Sequence, residues 1–137
     1  MDLTKTIISG KRKTAVAKLR LKPGKGNITF NKLPHTELGL FHRLALIEPI
    51  KIYEREFGEG ELNYDLHINV KGGGKESQIQ AARLAIAKAL LEISGSETLK
   101  KAFVEYDRNI IVPDSRRKET YKPGDSKARA KRQTSYR

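Results

Sequence analysis

The stretch LNYDLHINVKGGGKESQIQAARLAIAKALLEIS, residues 62–94, decides the fold. Its first part alternates: Leu62, Tyr64, Leu66, Ile68 and Val70 fall on one side of an extended chain. A period of two predicts a half-buried β-strand. Gly72, Gly73 and Gly74 then interrupt the pattern, and the period changes. Ile79, Ala82, Ile86, Leu90 and Ile93 recur at helical spacing, with Arg83, Lys88 and Glu92 elsewhere on the wheel. A helix therefore follows, and its many alanines let it pack closely on a sheet. Ser77 and Gln80 stand at capping-box spacing, and Gly95 is a stop signal. The glycine turn has two readings. It is a turn that needs positive φ and close backbone approach, or it lets a phosphate rest on the N-terminus of the helix. The spacings of a P-loop and of G-x-G-x-x-G are both absent.

Working outward, KTIISG (5–10) reads as a short strand ended by Gly10. TAVAKLRL (14–21) alternates again, with Ala15, Ala17, Leu19 and Leu21 on one side and Val16, Lys18, Arg20 and then Lys22 on the other. The outer face of this strand is a row of cations. A Pro-Gly turn carrying Lys25 leads to NITFNKL, a third strand, and the three are expected to form a meander. HTELGLFHRLALIEPIKIYEREFG (35–58) reads as helical, with Leu44, Ile47, Ile50, Ile52 and Phe57 as its stripe and a break or kink near Glu48 caused by Pro49. After the central helix come a short helix in GSETLKKAFVEYD and a last strand at Asn109–Val112. The order predicts an α+β sandwich of two layers, helices on one face of a small sheet. Its body spans 1–113, and a basic tail without apolar period spans 114–137.

The chain has 137 residues, a length suited to one domain, and a net charge of +12. It has no Cys, which excludes disulfides, thiolate chemistry and Cys-type zinc sites and fits a reducing compartment. The N-terminus carries no secretory pattern, and no apolar run approaches the roughly 20 residues of a membrane span. His35, His42 and His67 form no i, i+4 pair, and no nucleophile elbow is present. No enzyme activity, metal, cofactor, small-molecule substrate or membrane partner is expected.

The charge is uneven. Residues 10–26, GKRKTAVAKLRLKPGKG, hold seven Lys/Arg and no acid; residues 115–137 hold nine Lys/Arg and two acids. Like charges gathered this way repel unless a polyanion neutralises them, and nucleic acid is the first candidate. The tail cannot offset its ordering entropy with a core face, so it is expected to be disordered alone and to order on phosphates. The small Ala128 and Ala130 would let its backbone lie close to a nucleic acid. Phosphate contacts are expected from Lys11, Arg12, Lys13, Lys18, Arg20, Lys22 and Lys25. The glycine turn adds Lys71, Gly72, Gly73, Gly74 and Lys75. The tail adds Arg116, Arg117, Lys118, Lys122, Lys127, Arg129, Lys131 and Arg132.

Three stretches together, GKRKTAVAKLRLKPGKG (10–26), VKGGGKESQIQAARLAIAKALL (70–91) and DSRRKETYKPGDSKARAKRQTSYR (114–137), closely resemble small-subunit ribosomal protein nine, the universal S-nine family. The ending SYR resembles its archaeal and eukaryotic branch, and an archaeal source is preferred. Thr134 and Asp125 depart from the usual pattern of that branch. The resemblance implies the fold of the second domain of ribosomal protein S-five, with a left-handed βαβ crossover. It also implies a cytoplasmic protein in the head of the small ribosomal subunit, bound to ribosomal RNA beside other head proteins. Its tail would reach P-site tRNA through Tyr136 and Arg137. A free-standing RNA-processing enzyme, or the protein cofactor of one, and a DNA-compacting protein are the rival readings.

Overall fold

The computed structural model of the chain describes residues 3–58 and 62–117. Its first two strands, β1 (Ile7–Arg12) and β2 (Ala15–Pro23), form an antiparallel hairpin in which Arg12 pairs with Ala15. Lys13, at φ 54°, turns the chain between them. Gly10 does not end β1: it pairs with Ala17 in mid-strand. Its purpose is close approach. A Cβ there would collide with the Ala81 carbonyl and stand 2.8 Å from the Ala85 nitrogen of the helix packed above. Glycine inside a strand commonly marks such an approach.

The meander stops at β2. β3 (Ile28–Phe30) and β4 (Leu33–Pro34) form a hairpin of their own, closed by Asn31 and Lys32 at φ 49° and 71°. β5 (Tyr64–Lys71) inserts between β2 and β3, antiparallel to the first and parallel to the second. The sheet order is β1-β2-β5-β3-β4. Two causes place β5 there. It matches β2 over eight residue pairs, from Val16–Lys71 to Pro23–Tyr64, setting Leu66, Ile68 and Val70 beside Leu21, Leu19 and Ala17. And the loop after β2 is tied to the start of β5: the Gly24 N–H donates to the Asn63 carbonyl (3.0 Å), and one Asp65 oxygen accepts from the N–H groups of Lys25 (3.0 Å), Gly26 (3.2 Å) and Asn27 (3.0 Å). The chain is thereby carried across the end of β5 instead of back along β2.

The chain has three α-helices among the described residues, α1 (Leu40–Phe57), α2 (Lys75–Ser94) and α3 (Glu97–Tyr106); α2 packs on the sheet, and α1 and α3 pack on α2 and on each other. α1 runs unbroken through Pro49, whose ring is fully buried. Burial of the ring offsets the missing backbone hydrogen bond that makes proline a helix breaker. The buried residues of α1 are Leu46, Pro49, Ile50, Ile52 and Tyr53; Ile50 and Ile52 match the expected stripe, while Leu44 and Phe57 are exposed.

α2 begins where the sequence pattern changes, but Ser77 does not cap it. Gly74 is the N-cap, without a side-chain hydrogen bond. Ile79, Ala82, Ile86 and Leu90 are buried as their spacing predicts, and so are Ala81, Leu84, Ala85, Ala87 and Ala89. α2 is buried nearly all round because it meets β1, β2 and β5 as well as α1. Gly95, left-handed at φ 61°, ends it, and Ser96 caps α3 by accepting from the Leu99 N–H at 3.3 Å. Residues 109–112 form no strand. Asp107 accepts from the Asn109 N–H (3.0 Å) and bends the chain into a 3-10 turn, Arg108–Ile110, that buries Ile110. A polar side chain able to bond its own backbone outcompetes the β-propensity of two isoleucines. Among the described residues no helix is long and apolar enough to cross a membrane.

Candidate nucleic-acid interface

The two faces of the sheet differ completely. In β2 the residues Ala15, Ala17, Leu19 and Leu21 are fully buried, whereas Lys18, Arg20 and Lys22 are exposed. Residues directly opposite in a ladder share a face, so the register shows what surrounds these cations. One row runs Ile7, Arg20, His67, Thr29; the next runs Ser9, Lys18, Asn69; Val16 is flanked by Lys11 and Lys71; Lys22 faces Asp65. The open face is thus cationic and hydrogen-bonding, and strands hold Lys18, Arg20 and Lys22 about 7 Å apart along the chain. A shallow groove on this face includes Thr14, Lys18, Arg20, Lys32, Asn69 and Lys71.

The acid on this face, Asp65, is already engaged. The three backbone N–H groups that converge on it, first that of Asn27, hold its carboxyl below the ordinary value of 3.8. Its negative charge therefore helps to hold the loop bearing Lys25.

Of the expected phosphate ligands, Lys11, Lys18, Arg20, Lys22 and Lys71 lie on this face or its rim, Lys13 lies at the hairpin tip and Lys25 in the exposed loop. The glycine turn adjoins the same hairpin. A Cβ on Gly72, at φ 81°, would stand 2.5 Å from the Thr14 carbonyl oxygen, and one on Gly73, at φ 65°, 3.1 Å from the Ala15 nitrogen. Both glycines are required by conformation and by close approach. Gly74 has open space around it and starts α2 with no side-chain cap, between Lys71 and the exposed Lys75.

Arg12 stands apart. Its side chain is only 12% exposed and binds Gln80 Oε1 (2.7 Å), the Arg116 carbonyl (3.1 Å) and Asp114 (3.6 Å). Arg116 and Arg117 are exposed, and the Arg116 guanidinium is folded onto Asp114. Lys118, Lys122, Lys127, Arg129, Lys131, Arg132, Tyr136 and Arg137 lie outside the described residues. Sequence reading missed His67, Asn69, Thr29 and Lys32 as members of the face. The polar alternation in YDLHINVK was legible, but only the register brings those side chains beside Lys18 and Arg20. Among the described residues, no group of three or more His, Asp or Glu could hold a metal ion.

Residues 10–137 match the family model described as ribosomal protein S9/S16. The small ribosomal subunit protein uS9 of Methanococcus maripaludis is 44% identical over 131 residues, covering 93% of this chain and 95% of the relative. The same-named protein of Methanothrix thermoacetophila is 42% identical over 130 residues, covering 94% and 96%. That of Methanococcus vannielii is 42% identical over 136 residues, covering 93% and 95%. With a family model spanning nearly its whole length and relatives this similar end to end, the chain belongs to the ribosomal protein S9/S16 family.

Proposed function

We propose that this chain binds ribosomal RNA through the open face of its sheet and carries its basic C-terminal segment onward to P-site tRNA. Family membership makes it a ribosomal protein rather than an enzyme, a structural constituent of the small ribosomal subunit in the cytoplasm. The observation that carries the RNA reading is the register-matched face around Lys18 and Arg20, which gathers cations and amides and, among the described residues, holds Asp65 bound to backbone. Such a face suits phosphate and sugar contacts, which fix position without reading sequence. Lys11, Lys13, Lys22, Lys25, Lys71 and Lys75 extend it, with Gly74 offering the N-terminus of α2 to a phosphate. The body at 1–113 would adopt the S-five second-domain-like fold with its left-handed crossover, sit in the subunit head beside neighbouring head proteins, and leave 114–137 as the tail. In this reading Lys118, Lys122, Lys127, Arg129, Lys131 and Arg132 neutralise ribosomal RNA, and Tyr136 and Arg137 meet the tRNA.

Salt titration tests the face. Lys18→Ala and Arg20→Ala should each weaken binding to a ribosomal RNA fragment. Each should also reduce the slope of log K against log salt by roughly 0.7–0.9 for every phosphate that is no longer neutralised. An unchanged slope with an altered sequence preference would overturn the phosphate-binding reading.

A further inference from the structure

Arg12 sits within a row of cations yet does something its neighbours do not. Lys11 and Lys13 on either side are exposed, whereas the Arg12 guanidinium is turned inward and satisfied by protein acceptors from two distant parts of the chain. Its Nε donates to Gln80 Oε1 on α2 at 2.7 Å. Its Nη1 donates to the carbonyl of Arg116 at 3.1 Å, and its Nη2 stands 3.6 Å from an Asp114 carboxylate oxygen. The Asp114 side chain is only 14% exposed. It also accepts from the Arg116 backbone N–H at 3.0 Å and from the Arg116 guanidinium at 2.6–3.1 Å.

We infer that Arg12 is a positioning residue: with Gln80 and Asp114 it clasps residues 114–116 to the end of β1 and the first turns of α2, fixing where the C-terminal segment leaves the body, rather than serving as an RNA phosphate ligand. The geometry uses the fork of arginine. Two donors of one planar group bond two acceptors while its third nitrogen stands in ion-pair range of Asp114, a spread of directions that the single ammonium of lysine does not reproduce. A phosphate would have to displace those acceptors, and it would leave the largely buried Asp114 facing it. The Asp114 carboxyl is held well below its ordinary value, first by the Arg116 side chain, so the clasp keeps its negative partner across the neutral pH range. Placement of the exit matters because 118–137 carries seven cations that must meet their RNA from one starting point. That consequence rests on the RNA-binding reading; the clasp does not.

The chain has no Cys, so paired spin labels can be placed cleanly at Glu92→Cys on α2 and Arg117→Cys beyond the clasp. In the full-length protein the label-to-label distance distribution should be narrow. It should broaden in Arg12→Ala, in Arg12→Lys although charge is kept, and in Asp114→Asn, with the melting of the body unchanged. Arg12→Lys should leave the RNA salt slope intact, and Arg12→Ala should not reduce it by the roughly 0.7–0.9 that one phosphate ligand contributes. A distribution that stays narrow in all three variants, or an Arg12→Ala slope reduced like that of Lys18→Ala, overturns the inference. If Lys18→Ala and Arg20→Ala leave the slope untouched while the distance broadens, the RNA face is wrong and the clasp stands.

Discussion

Single positions carry opposite meanings here depending on what packs above them. Gly10 reads as the end of a strand, because nothing local separates a glycine that stops pairing from one that admits a helix backbone. The deciding atoms, the Ala81 carbonyl and the Ala85 nitrogen, belong to a helix far along the chain. Gly10→Ala should therefore destabilise the protein by about 1–3 kcal/mol, the cost of forcing extra volume into a packed core. The urea midpoint should fall with the slope of unfolding unchanged. Asp65 has its own signature, in pH. Its folded pKa is depressed by three N–H donors, so its contribution to stability is present above the ordinary value of 3.8 and disappears as pH falls through the lower folded value. Asp65→Asn should lower the melting temperature at pH 7 and much less at pH 2. An equal loss of stability at both pH values would mean that charge plays no part in holding the loop.

At the scale of elements, strongly periodic segments were legible and their pairing was not. The alternation of β2 and β5, the helical spacing of α2 and the start of α3 are written in residues i, i+2 and i, i+4, where burial leaves a direct trace. The insertion of β5 between β2 and β3 depends on the Asp65 loop bonds and on an eight-pair register, neither of which has a local pattern. Pro49 shows burial overriding propensity, and Asp107 shows a side chain overriding β-propensity. The same gap affects the candidate site: its cations were legible in the acid-free block, while His67 and Asn69 needed the register, and the inward turn of Arg12 needed the fold. Helix capping gives a clean comparison. Ser77 has the motif spacing but lies inside the first turn of α2, whereas Ser96 makes the hydrogen bond to the Leu99 N–H. Ser96→Ala should cost about 1 kcal/mol and Ser77→Ala less than about 0.5 kcal/mol, read from paired chemical denaturation curves. The reverse order would show that the cap of α2 had been misplaced.

The whole molecule is two charge populations on one chain. Residues 1–117 carry twenty-one Lys/Arg against fourteen acids, while residues 118–137 carry seven against two. Among the described residues the buried core runs from Ile8 to Ile110. Stability and much of the electrostatic affinity should therefore separate physically. The core supplies the first through apolar burial, which salt hardly affects; on the RNA-binding reading the terminal segment would supply the second through counterion release, which salt erodes steeply. Shortening the chain after Arg117 tests this division and keeps the Arg12 clasp intact. The shortened protein should melt at nearly the same temperature as the full chain, since every residue of that core is kept. Without its seven terminal cations it should bind a ribosomal RNA fragment with a log–log salt slope reduced by about 4–6. Glu119 and Asp125 oppose part of that attraction and hold the expected reduction below the full count. The two proteins should therefore differ most at low salt and converge as salt rises. A shortened chain that keeps the full slope would place RNA binding entirely on the sheet face and the hairpin. One that fails to fold would show that the segment beyond Arg117 belongs to the body after all.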